Sequence, residues 1–215
     1  MKENASAPPI EAVIFDLGNV LIQLDIERGT EATARAVGLP AAEVRRRLQA
    51  CGELLDFELG LISERDFHGC ISRTLGQDLP FATFHELWNG IFTHEIAATV
   101  ELVGTLRARP GLKVGLLSNT NVTHFEFLRR RMAVLREMEH LYVSHELGCR
   151  KPDPRSYRMV LEKMAVRPER AVFVDDLEEN IAGARSAGMH AVHATGPEAV
   201  RQGLARLGLI GNATV

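Results

Sequence analysis

Short, unbroken apolar runs alternate along this chain with longer stretches in which apolar residues recur every three or four positions. Val13-Ile14-Phe15 is the first such run and ends abruptly at Asp16. Continuous apolarity over a few residues marks a strand buried on both faces. Strand one is expected at about 11–16, with strands two to five at 112–117, 141–143, 171–174 and 189–193. Between them the helical period returns, in Ile96, Val100, Val103 and Leu106, then in Val122, Phe125 and Met132. Tyr157, Val160, Leu161 and Met164 form another stripe, and Val200, Leu204 and Leu207 the last. Pro110-Gly111 and Gly188 read as helix stops, and Asp153-Pro154 as an N-cap with proline in the first turn. Strands separated by helices imply right-handed crossovers and therefore an α/β fold with a parallel sheet.

Residues 25–92 break this alternation, with helical patterning throughout and no strand signal. Pro40 opens a segment with Val44, Leu48 and Cys51 at helical spacing. Ser63-Glu64-Arg65-Asp66 reads as a helix start that Gly76 stops, and Thr83-Phe84-His85-Glu86 as a capping box before Trp88. The expected organisation is a core formed by 10–23 and 94–215, a small helical cap at 24–93, and a loose Ala/Ser/Pro tail at 1–9.

Composition changes this picture little. At 215 residues there is room for one large domain with an insert. A net charge of −3 gives no electrostatic reason to expect nucleic acid or an anionic membrane as partner. There is no apolar run long enough to span a bilayer, and Met1-Lys2-Glu3-Asn4 lacks a signal-peptide core. Cys51, Cys70 and Cys149 are few and scattered, which fits free thiols in a reducing cytoplasm. The expectation is a cytoplasmic protein, a monomer by default with a dimer left open.

The chemistry lies at the strand ends. In a parallel sheet all carboxyl ends lie along one edge, so Asp16, Ser118-Asn119 and Asp175-Asp176 converge there, with Lys151 on a loop nearby. Taken singly, each has an ordinary reading as a turn, cap or solvated charge. Adjacent carboxylates after a buried strand, however, repel one another unless a cation sits between them. Carboxylates from two strands suit Mg²⁺, while a hydroxyl, a lysine and loop N–H groups suit a phosphoryl group. A carboxylate can also be a nucleophile.

Four segments, Phe15-Asp16-Leu17-Gly18-Asn19-Val20, Leu117 to Asn121, Gly148 to Pro152 and Phe173 to Asn180, resemble the four motifs of the haloacid dehalogenase superfamily. The branch most resembled has a helical cap after the first motif and includes alpha-D-glucose-1-phosphate phosphatase. The resemblance implies a Rossmann-like sheet of order 5-4-1-2-3 and Mg²⁺-dependent hydrolysis of a small phosphorylated metabolite, a sugar phosphate such as a hexose 1-phosphate being favoured. It gives Asp16 as nucleophile and metal ligand, the Gly18 carbonyl and Asp176 as further ligands, and Asp175 and Asn180 as residues behind them. Ser118, Asn119 and the Leu17-Gly18 loop would bind phosphate oxygens, and Lys151 would neutralise charge. Gly18 is the departure: most phosphatases of the superfamily carry an acid–base aspartate there. The alternatives are a metal-independent 2-haloacid dehalogenase, a catalytically weak phospholigand-binding protein and a phospho-receiver. Glu58-Leu59-Gly60 reads as a turn, Trp88 as cap packing, the histidines as without a role, and both arginine triplets as solvated faces.

Overall fold

The computed structural model describes residues 9–211. The expected tail lies, except for Pro9, outside the described residues. Five strands form one parallel sheet: β1 (Ala12–Phe15), β4 (Lys113–Ser118), β5 (His140–Val143), β6 (Ala171–Asp175) and β7 (His190–His193). Its order is β5-β4-β1-β6-β7, which is 5-4-1-2-3 when only these five are counted. β1 is central, with Val13 opposite Val114 on one side and Val172 on the other. Its residues alternate between two apolar layers. Val13 and Phe15 pack with Leu102, Leu106 and Leu204, whereas Ala12 and Ile14 pack with Tyr157, Val160 and Met164. Burial on both faces explains why the strand reads as an unbroken apolar run.

The first layer is supplied by α6 (Ala97–Arg107), α7 (Val122–Arg131), α8 (Ala133–Glu137) and α12 (Pro197–Arg206). The second is supplied by α10 (Pro154–Met164) and α11 (Glu178–Ser186). Asp153 caps α10, its carboxylate accepting from the Arg155 N–H at 2.8 Å. A one-turn helix, α9 (Ser144–Leu147), follows β5.

The inserted block is five helices: α1 (Ile26–Val37), α2 (Ala41–Gln49), α3 (Glu53–Glu58), α4 (Glu64–Leu75) and α5 (Phe81–Asn89). They bury a separate apolar cluster built on Val44, Phe57, Phe67, Ile71 and Phe84. Ser63 and Asp66 form a reciprocal capping box on α4, as its sequence predicts. α5 differs from expectation. It starts at Phe81 with Pro80 as its N-cap, and no side chain caps it. Thr83 is therefore inside the first turn, because proline already sets the helix entrance. Val122 also departs from its predicted buried stripe: it opens α7 and is exposed, while Phe125 and Leu128 turn inward.

Two short strands have no counterpart in the sequence reading. β2 (Ile22–Leu24) and β3 (Phe92–Glu95) pair antiparallel where the chain leaves for the helical block and returns. β3 is largely exposed and polar, so it carries no apolar alternation to betray it. Helical block and sheet layers meet closely. At Gly60, with φ +71°, an added Cβ would fall 2.1 Å from the His145 carbonyl oxygen, so only glycine allows this approach. Nearby, Thr123 donates to Glu64 at 2.5 Å, and Arg150 lies 3.4 Å from Glu58. Among the described residues no helix is long and apolar enough to cross a membrane.

Candidate active site

β1 and β6 are neighbours in the sheet, so their carboxyl ends bring Asp16 and Asp175-Asp176 together. One ligand atom from each of Asp16, Asp175 and Asp176 lies within 4.8 Å of the others. Lys151 enters from the loop before α10, its ammonium 2.7 Å from Asp16 and 2.6 Å from Asp175. All three partners of this ion-paired group are buried. Burial pushes the Asp16 carboxyl up to about 6, against the pull of Lys151. Burial works in the opposite sense on Lys151, but the two carboxylates outweigh it and hold the ammonium above its ordinary pKa.

The acidic doublet is divided between strand and loop. Asp175 ends β6 pointing inward, where it also accepts from the Leu177 N–H at 2.8 Å and the Asn180 side-chain amide at 3.0 Å. Asn180 is fixed in turn, its carbonyl accepting from the Tyr157 hydroxyl at 2.8 Å. Asp176 lies on the solvent side and accepts from the Asn19 amide at 3.1 Å. Lysine therefore compensates two carboxylates, and the third has only an amide. Three carboxylates against one ammonium leave an excess of negative charge, which is the donor set that a hard divalent cation fits.

Ser118 ends β4 beside this cluster and is buried. Asn119 makes a reciprocal pair with the Lys151 backbone. Its amide donates to the Lys151 carbonyl and its oxygen accepts from the Lys151 N–H, both at 2.9 Å. This clasp ties the phosphate-binding candidate loop to the lysine loop. The structure thus brings together Asp16, Ser118, Asn119, Lys151, Asp175 and Asp176, as sequence order alone suggested.

Sequence reasoning missed Asn19. It takes φ +52°, which asparagine tolerates better than most residues. Besides reaching Asp176, its oxygen accepts from the Leu24 N–H at 3.1 Å, joining β2 to the site. The FDLGN run contains that asparagine, but nothing local distinguishes it from a turn residue. His124 was also given no role. It stacks on Trp88, donates from Nε2 to the Trp88 carbonyl at 3.0 Å, and burial lowers its pKa to about 4. It is a neutral brace between α5 and α7.

Above the strand tips opens a cavity of about 470 Å³. Leu17, Gly18, Ser118 and Asn119 form its floor, and residues of α1 to α5 its walls and roof. Trp88 lines it as well as packing against Phe67, so the reading of Trp88 as internal packing was incomplete. Glu58 also faces this space, and burial raises its carboxyl above the usual range. At Gly18 an added Cβ would meet only the end of the Leu24 side chain, at 2.8 Å. Asp25 is engaged as the N-cap of α1, accepting from the Arg28 N–H at 2.8 Å.

Known proteins are similar to this chain. "Phosphatase MT3486" of Mycobacterium tuberculosis is 28% identical over 206 residues, which cover 92% of this chain and 93% of that protein. The D-ribitol-5-phosphate phosphatase of Bacteroides thetaiotaomicron is 27% identical over 179 residues, covering 80% and 85%. A solved Bacteroides thetaiotaomicron enzyme in complex with magnesium and inorganic phosphate superposes with a TM-score of 0.77 at 28% identity, covering 86% of this chain and 93% of that one. The family model for haloacid dehalogenase-like hydrolases matches residues 10–188, from the strand that carries Asp16 to the end of the helix behind Asp175. A parallel sheet of that order, with its acids and lysine at one edge and a match over most of its length, makes this chain a member of the haloacid dehalogenase-like hydrolase family.

Proposed function

We propose that this protein is a Mg²⁺-dependent phosphatase acting on a small phosphorylated metabolite through a phosphoaspartyl intermediate on Asp16. The observation that carries this reading is the buried Asp16–Lys151–Asp175 group with Asp176 beside it; Asp16 directly precedes Leu17 and Gly18, which line a cavity together with Ser118 and Asn119. The phosphatase relatives, and the related enzyme that holds magnesium and phosphate, support it.

Asp16, Asp176 and the Gly18 carbonyl would hold the cation, which would neutralise phosphoryl charge when bound. A carboxylate oxygen of Asp16 attacks phosphorus as the ester P–O bond breaks, and the leaving oxygen takes a proton from water to depart as the alcohol. Water then attacks phosphorus, releasing phosphate and restoring Asp16. Ser118 and the Asn119 N–H bind phosphoryl oxygens, with the Leu17-Gly18 loop completing the cradle. Lys151 compensates the charge that builds on Asp16 and on the transferring group. Asp175, clamped by Asn180, fixes the position of Lys151. Residues 24–93 act as a cap that encloses the substrate and selects it. A cytoplasmic location remains part of this reading, as does a sugar phosphate substrate, which the ribitol-phosphate relative supports.

Phosphate release from a panel of esters, measured with Mg²⁺ and with EDTA, tests the proposal. Chelation is expected to remove activity and added Mg²⁺ to restore it. Chloride release from 2-chloropropionate that survives EDTA would instead establish the dehalogenase alternative.

Gly18 offers a second test. Its backbone is not in the left-handed region, and Leu24 is a flexible neighbour, so Gly18→Asp is sterically feasible. If the natural enzyme lacks an acid–base group, the variant is expected to hydrolyse unactivated esters about 10²–10⁴-fold faster. Esters with good leaving groups should gain little. No gain on either ester type would show that the acid is supplied from elsewhere.

A further inference from the structure

The cavity above the strand tips carries information about the leaving group, the part of the substrate that the phosphoryl site does not see. A sugar or polyol brings several hydroxyls, each of which needs a partner once it leaves water. The polar side chains on these walls are largely engaged already. Thr30 and Thr33 donate to the backbone carbonyls of Ile26 and Gly29, at 2.8 and 2.9 Å. Asn121 accepts from the His124 N–H at 3.0 Å, and His124 is spent on the Trp88 carbonyl at 3.0 Å. Arg45 pairs with Glu27, and Glu58 faces Arg150 at 3.4 Å.

Apart from Gln49, Thr120, Cys51 and the indole N–H of Trp88, which has no hydrogen-bond partner among the described residues, the remaining lining is hydrocarbon. Leu24, Leu48, Phe67, Leu87, Trp88 and Ile91 are among its members. Ile26 also lines the space and is 61% exposed, an apolar side chain at the cavity that the described residues leave largely uncovered. Beside Gly18, the space that a side chain would enter is filled by a Leu24 methyl, so the surface nearest the scissile oxygen is apolar too. The polar floor and the apolar walls are continuous, and together they match a molecule with a phosphate at one end and a hydrocarbon body at the other.

We infer that the substrate is the phosphate monoester of a hydrocarbon-rich alcohol, with its chain or ring lying among Ile26, Leu48, Leu87 and Trp88. This rests on the phosphatase reading and replaces its sugar-phosphate preference. Each methylene that the cavity takes up should raise kcat/KM about fourfold, the transfer gain of one buried CH₂.

The experiment is a chain-length ladder. kcat/KM is measured with Mg²⁺ for n-alkyl monophosphates from propyl to nonyl, with glucose 1-phosphate and ribitol 5-phosphate as polar comparators. p-Nitrophenyl phosphate serves as the general reporter of phosphatase chemistry. The expected result is a rise of about 200-fold over four added methylenes, with the longer alkyl esters above both polyol esters. Ile26→Asn, at a solvent-facing position, should flatten the slope. A flat ladder, or a polyol phosphate turned over faster than heptyl phosphate, overturns the inference while leaving the phosphatase reading intact. If even p-nitrophenyl phosphate is untouched, the phosphatase reading fails instead. Calorimetric affinity of the same alkyl phosphates then decides the ligand class: affinity that climbs with chain length upholds the hydrocarbon site, and constant affinity rejects it.

Discussion

Lys151→Met is expected to lower the unfolding free energy of the metal-free protein by about 3–5 kcal/mol and to abolish phosphate release. Methionine preserves most of the side-chain volume, so the loss is electrostatic. Lys151 lies within 2.7 Å of Asp16 and 2.6 Å of Asp175. Its removal leaves two buried carboxylates facing each other without a cation, and breaking a buried ion pair from one side typically has this cost. Denaturant titration in EDTA measures it. A second substitution, Asp175→Asn in the Lys151→Met background, should recover much of the stability and none of the activity. The pH dependence has a definite sign. Burial raises Asp16 to about 6 in the fold, above its unfolded value of about 3.9. The metal-free fold therefore keeps a proton that the unfolded chain has already released, and stability falls as pH rises from about 4 through 6. Without Lys151 that window extends to higher pH, so the deficit of the variant should shrink on acidification. A variant as stable as wild type at pH 8 would mean that the lysine does not hold the two carboxylates in solution.

The strands that build this site were legible because burial on both faces forces apolar sequence, and the chemistry sits where each run stops. Asp16 follows Phe15 directly, Ser118 and Asp175 close their own strands, and parallel pairing brings these ends together whatever their separation in sequence. Within Asp175-Asp176 only Asp175 belongs to the strand and is buried against Lys151, whereas Asp176 falls just past its end. Other features have no local signal. β2 and β3 pair with each other, and only Ile22 and Phe92 anchor them on the core, too few positions to make an apolar pattern. Asn19 reaches Asp176, 157 residues away, and His124 reaches the Trp88 carbonyl, 36 residues away. The character of the cavity was also out of reach. Leu48 reads as part of a helix stripe and Trp88 as cap packing, and only the folded arrangement shows that they also face a common space with Leu24 and Phe67.

Asp16→Asn should abolish turnover, by about 10⁴–10⁶-fold, the range seen when a covalent nucleophile is removed, while leaving the fold intact. Asparagine matches the shape of aspartate, and its amide oxygen can still accept from Lys151, so the clasp around the lysine survives. It also removes one of three clustered negative charges and the burial that pushes this carboxyl up to about 6. The metal-free variant should therefore be at least as stable as metal-free wild type, and it should gain less from added Mg²⁺ because one ligand charge is missing. Activity and stability thus move in opposite directions, which a merely misfolded variant cannot imitate. Acid quenching during steady turnover supplies the complementary reading. Wild-type protein should carry up to one phosphate per chain in a linkage cleaved by hydroxylamine, as an acyl phosphate is, and Asp16→Asn should carry none. Retention of more than a tenth of wild-type turnover by Asp16→Asn would place the nucleophile elsewhere. In that case water attacks the phosphorus directly, and Asp16 serves only to hold the cation and Lys151.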